Sequence, residues 1–162
     1  MKKQTIFTPR FIAESGIIAA VYVVLVLLFA PISFKAVQFR VAEALAILPY
    51  FTPAGIPGIT IGCLLGNLLG GGDPLDIIFG TLATLIGAFG SYALRKNQWL
   101  VPLPPILSNT IIIPWVLRFA YDVPNAIPYL MLTVGVGEIL AIYVLGMILL
   151  FALKPIADKI FR

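Results

Sequence analysis

Apolar residues run through this chain with few interruptions, and the polar ones fall where they cut it into helix-length pieces. After Lys2, Lys3 and Arg10, the run over roughly residues 11 to 30 predicts a first helix that ends at Pro31. Residues 31 to 39 read as a polar loop. From Arg40 to Phe51 there are about twelve residues, or roughly 18 Å of helix, well short of a hydrocarbon core of about 30 Å. Pro49, Pro53 and Pro57 interrupt the chain there, and the glycine-rich run 58 to 70 predicts a second short segment. These two pieces are either short spanning helices or a re-entrant hairpin, and both choices return the chain to the same side. Irregular backbone at that depth requires protein or a cavity beside it. Gly70-Gly71-Gly72-Asp73-Pro74 marks a turn, with Pro74 suited to the first residue of a helix over about 75 to 94. A fifth helix passes through Asn109, Pro114 and Trp115 to Tyr121, and a last one covers about 128 to 153.

Composition turns this pattern into a fold class. Of the 162 residues, 60% are hydrophobic and only 11% charged, and the mean hydropathy is +1.05. A soluble core cannot absorb so much apolar surface, so the expectation is an all-α polytopic membrane protein. Its form is a compact bundle of six transmembrane helices with short, Pro/Gly-interrupted second and third helices, in a single integral membrane domain spanning 1–162. The first apolar run is too long for a signal-peptide core and is expected to be retained. Cys63 is the sole cysteine and histidine is absent, which excludes a disulfide framework and a Cys/His metal cluster; no cofactor or metal is expected.

Net charge is +4, and its distribution sets the orientation. With six crossings and the N-terminus inside, Lys2, Lys3, Arg10, Arg95, Lys96, Lys154, Lys159 and Arg162 gather on the cytoplasmic side, leaving Lys35, Arg40 and Arg118 outside. That predicts a multi-pass protein of the cell membrane with both termini cytoplasmic. Gln38, Arg40, Glu43, Asn67, Asp73, Asp76, Arg118, Asp122 and Glu138 then fall in the outer half, with Asn109 near mid-depth. A channel or proton relay needs polar groups along the whole depth. Confinement to one half describes a cup open to the outside.

Carboxylates outnumber cations in that cup, so the residues pair internally or a ligand with hydrogen-bond donors supplies the balance. Arg40 and Glu43, three positions apart, can share a helical face and form a salt bridge bracing the loop, or touch a ligand. Glu138, deep in the last helix with no basic neighbour in sequence, favours ligand contact. Asn67 and Asn109 either contact a ligand or satisfy backbone freed by nearby glycines and prolines, and Asp76 also suits a helix N-terminus. Phe39 and Trp115 could stack on a flat ring, although Trp115 equally fits an interface belt. On the first helix, Ser15, Gly16, Ala19 and Ala20 form two small-xxx-small pairs that admit another helix closely, within the bundle or from a separate subunit. Gly70-Gly71-Gly72 lacks the lysine of a phosphate loop, and no catalytic triad is visible. A binder without its own means of using ATP implies other subunits that have it; no enzymatic activity is expected.

The run Ile32 to Leu45, then Leu48-Pro49-Tyr50-Phe51-Thr52-Pro53, Ile61 to Leu68, Asp76 to Leu85, Pro102-Leu103-Pro104-Pro105 and Gly137-Glu138 together resemble the QueT family of substrate-binding S-components of energy-coupling factor (ECF) transporters. The resemblance implies capture of a queuosine precursor, an aminomethyl or cyano deazaguanine base, with uptake driven by a shared transmembrane subunit and two ATPases. It also implies that the small-residue face of the first helix docks the partner, with Ser15 or Gly16 standing where the group commonly has alanine. On such a ligand, Glu138 would accept from the guanine-like edge, Asp76 or Glu43 would supply a second acid, Asn109 and Gln38 amide contacts, and Phe39 or Trp115 a stacking face. The competing expectations are an S-component for another flat, nitrogen-rich compound and a small oligomeric channel or membrane-assembly protein.

Overall fold

A computed structural model describes residues 7–33 and 39–161, the side chains of 32 and 33 excepted, and among them every regular element is a helix, with no strands. Gln38 and Lys35, expected at the cup's rim, lie outside the described residues. Helix α1 (Pro9–Leu28) starts at Thr8, whose Oγ1 accepts from the Phe11 N–H at 3.2 Å. Proline at the first helical position costs no hydrogen bond there. Helix α2 (Val41–Tyr50) is a 3₁₀ helix, α3 is Gly55–Leu69, and α4 (Pro74–Ala93) is capped by Asp73 accepting from Leu75 N–H at 2.9 Å. Helix α5 is Leu103–Ala120, and α6 runs without a break through Ile127–Ile160. Within α6 a π-helical stretch covers Ile139–Leu145 and a 3₁₀ turn covers Lys154–Ile156, so Pro155 tightens the helix where the sequence predicted an end near 153.

Four of these helices, α1, α4, α5 and α6, are long and apolar enough to cross a membrane. The other two are short: α2 is about 20 Å at the 3₁₀ rise and α3 about 22 Å. Glycines set how they pack. A methyl at Gly58 would come within 2.8 Å of Ile18, one at Gly62 within 2.6 Å of Tyr22, and one at Gly66 within 3.1 Å of Val26. The contact numbers rise together, so α1 and α3 are parallel and touch nearly backbone to backbone. The chain between them must therefore run back, and α2 does so: Tyr22 meets Glu43 near its start, and Thr52, just past its end, donates to Glu14 Oε2 at 3.0 Å.

Helix α2 ends up sheathed by α1, α3, α4 and α6. Eight of its ten residues are buried, and the alanines at 42, 44 and 46 allow that density. At the end of the bundle that holds both chain ends, Arg10 pairs with Glu14 at 2.9 Å and donates to the Ile160 carbonyl at 3.2 Å, while Phe51 stacks on Phe161 with ring centroids 5.5 Å apart. On the other side of the bundle, α4 and α5 pack antiparallel, with Ser108 Oγ donating to the Ala83 carbonyl at 2.9 Å.

Gly87 lies in that seam, where an added methyl would stand 2.6 Å from Pro105 Cα. Backbone cannot yield as a side chain does, so Gly87→Ala is expected to cost about 1–3 kcal/mol. Gly16 has nothing within 4 Å of such a methyl, and Gly16→Ala is expected to leave stability unchanged or slightly raised. Thermal unfolding of the two variants in detergent checks the contrast.

Candidate ligand site

At the end of the bundle away from the termini, the chain arrives from the α1–α2 connection in extended form. Arg40, at φ −95° and ψ 98°, precedes α2 without joining it. Its guanidinium reaches Asp76 in the first turn of α4, with Nη2 3.0 Å from Oδ2 and 3.3 Å from Oδ1. Arg40 is 5% exposed and Asp76 fully buried. The i,i+3 spacing of Arg40 and Glu43 would allow a salt bridge on one helical face; the helix starts one residue too late, and Asp76 takes that place.

Tyr121, at the end of α5, completes this corner by donating to Asp76 Oδ2 at 2.9 Å while accepting from the Asp73 N–H at 3.2 Å. Partial burial pushes the Tyr121 hydroxyl up to about 12, so it stays a donor at physiological pH. Gly80 leaves the necessary room: a methyl there would lie 3.0 Å from Asp76 Oδ1 and 3.3 Å from Asn67 Nδ2.

Below the corner lie two further pairs. Tyr22 donates to Glu43 Oε1 at 2.6 Å, and Asn109 Nδ2 donates to Glu138 Oε2 at 2.9 Å. The Asn109 amide is also within reach of Glu43, which joins the pairs across the bundle. Glu138 is the last residue before the π-helical stretch of α6, about 16 Å along that helix from Ile127. A π turn widens the helix and shifts the register of the residues beyond it, and this one packs on α2. Cys63, fully buried, receives Thr84 Oγ1 at 3.3 Å and Asn67 Nδ2 at 3.7 Å.

The structure thus gathers Arg40, Glu43, Asn67, Asp76, Asn109 and Glu138, all buried, into one polar interior. Phe39 is half-buried against the core beside them. Trp115 is elsewhere: it is 49% exposed and stacks on Phe119 on the outer face of α4 and α5, in an apolar groove of about 480 Å³ with Leu75 and Phe79. Asp73 and Asp122 serve turns, Asp122 with φ +48°. Of the four small residues on α1, Ser15 and Ala19 are buried against α3, whereas Gly16 and Ala20 are open.

Two members escape the sequence reading, Tyr22 and Thr84. A phenol fourteen residues into an apolar helix was the available signal, because its hydroxyl has no water to bond at that depth. The charge balance is also unequal: Glu43, Asp76 and Glu138 are buried against the single buried cation Arg40 among the described residues. Two carboxylates beyond the Arg40–Asp76 pair form a surface that accepts hydrogen bonds or a positive charge.

The profile described as "QueT transporter" matches residues 12–155 of this chain. A curated protein of Lactococcus lactis subsp. cremoris (strain MG1363), "Queuosine precursor transporter QueT", is 38% identical over 77 residues. That alignment covers 46% of this chain and 45% of the relative, so the chain spans a little under half the length of the curated protein it matches. No solved structure matches.

Removing the carboxylate opposite a buried guanidinium costs more than removing a neutral hydrogen bond. Asp76→Asn is therefore expected to destabilise the purified protein by about 3 kcal/mol and Tyr121→Phe by about 1 kcal/mol. Comparison of their thermal unfolding with the wild type tests that order.

Proposed function

The chain belongs to the QueT transporter family of membrane proteins, and from that membership we propose that it is the substrate-capture subunit, the S-component, of an ECF transporter. In this reading it takes a queuosine precursor of the deazaguanine type from outside the cell and passes it inward with a transmembrane coupling subunit and two ATPase subunits. The observation that carries the reading is the one-sided polar interior, acidic in balance and lying away from the end where Arg10, Lys154 and Lys159 cluster. The name of the Lactococcus relative supports the substrate class. The whole chain, 1–162, acts as one integral membrane domain of the cell membrane with both termini cytoplasmic, an orientation that the basic residues favour.

A deazaguanine presents a ring N–H and an amino group along one edge, which a single carboxylate can accept together. Glu138 is the residue for that edge and Glu43 the second acid, with Asn109 turning from Glu138 to the ring carbonyl. Their present partners are internal, so binding exchanges hydrogen bonds and leaves no buried group unmet. Arg40 and Asp76 close the rim above, and Gln38 completes the amide contacts. Stacking falls to Phe39, because Trp115 stands on the outer face.

Mass spectrometry of the small molecule that co-purifies with the protein is expected to find such a base, and calorimetry with purified protein to find saturable binding; a channel would instead pass solutes in proteoliposomes lacking ATPases. Glu138→Gln replaces one carboxyl oxygen with an amide donor, and an affinity loss of about tenfold or more is expected.

The open face of α1 offers Gly16 and Ala20 for close approach of a partner helix. Gly16→Trp is expected to block assembly with the coupling subunit while calorimetric affinity for the base is retained.

A further inference from the structure

We propose that Tyr22 is a positioning residue of the capture site: it holds the Glu43 carboxylate and ties its orientation to the seat of α1 on α3. This rests on the capture reading above. Tyr22 is 1% exposed, and its hydroxyl donates to Glu43 Oε1 at 2.6 Å. An O–H···O contact this short and buried fixes the orientation of the carboxyl group it meets.

The other donors near Glu43 also have partners of their own. Asn109 bonds Glu138, Asn67 and Thr84 bond Cys63, and Arg40 pairs with Asp76. Among the described residues, Tyr22 is the side chain whose hydroxyl is given to Glu43.

The ring has little freedom to follow if the carboxylate turns. Its Cβ stands against Gly62, where an added methyl would come within 2.6 Å, and the Ala19 carbonyl lies 3.1 Å from the same point. The position of the hydroxyl is thus set by how closely α1 sits on α3. On the opposite face of α1, Gly16 and Ala20 are open. A displacement of α1 driven from that face carries Tyr22 away from Glu43 and lowers the hold on the ligand.

Tyr22→Phe keeps the ring and removes only the hydroxyl. Two readouts on the full chain in detergent test the role: calorimetric affinity for the aminomethyl and cyano deazaguanine bases, and the Glu43 carboxyl band, identified in the infrared difference between wild type and Glu43→Gln. The expected result is an affinity about tenfold weaker together with a shifted Glu43 band. Unchanged affinity overturns the proposal. Weakened affinity with the band unmoved overturns it too, because the hydroxyl would then act otherwise than through Glu43. If Tyr22→Phe does not fold, Gly62→Ala displaces the ring with its hydroxyl intact, and the same two readouts decide. Should wild type bind neither base, the capture reading falls, whereas the band in ligand-free protein still decides whether Tyr22 holds Glu43.

Discussion

A charged or hydrogen-bonding group carried into a water-free interior must find its partner on another part of the chain, and in this protein α2 makes that demand most severely. It enters behind Arg40, carries Glu43, and is covered on all sides. Neither residue can be satisfied by α2 itself, whose own backbone bonds are already used. Arg40 therefore reaches α4, and Glu43 reaches α1. Those two bonds, with Asn109 to Glu138 joining α5 to α6, connect five of the six helices through polar contacts at one end. The cost of burying unpaired charge, several kcal/mol per ion, is what makes these contacts specify the arrangement.

Apolar packing alone is less selective in a bilayer, where lipid tails solvate a leucine as well as another helix does. Close approach supplies the selectivity at the remaining seams. Gly58, Gly62 and Gly66 let α1 and α3 meet at distances that a methyl would forbid, and Gly87 does the same for α4 and α5. Parallel packing of α1 and α3 requires a segment that runs back beside them, and the alanine-rich α2 supplies it.

This geometry gives α1 two faces of different character. One carries Ser15, Ala19, Tyr22 and Val26 into the bundle; the other shows Gly16 and Ala20 to the surroundings. In the proposed capture role, grip on a ligand and response to a partner would fall on one rigid element. The rigidity comes from the glycine seam, since a helix seated backbone to backbone moves as a body or not at all.

The six-helix, all-α membrane fold was legible along the chain, because hydropathy and length answer to bilayer thickness and not to any long-range contact. The same local logic marked Pro74 as a helix start and marked Glu43, Asp76, Asn109 and Glu138 as polar groups needing an account. What sequence by itself could not decide was which of them meet. Arg40 and Glu43 are neighbours in the chain, yet one residue of extended backbone sends them to different helices; Arg40 and Asp76 are 36 positions apart and form the buried ion pair. Trp115 and Phe39 look alike as stacking candidates, but helix rotation turns the first outward, while the second lies toward the core. Tyr22 is a phenol among apolar neighbours by sequence alone, but its partner is decided only once α2 brings Glu43 to it. Partnership depends on helix rotation, register and crossing, which are set by interlocking of the whole bundle, and only the tertiary structure decides them.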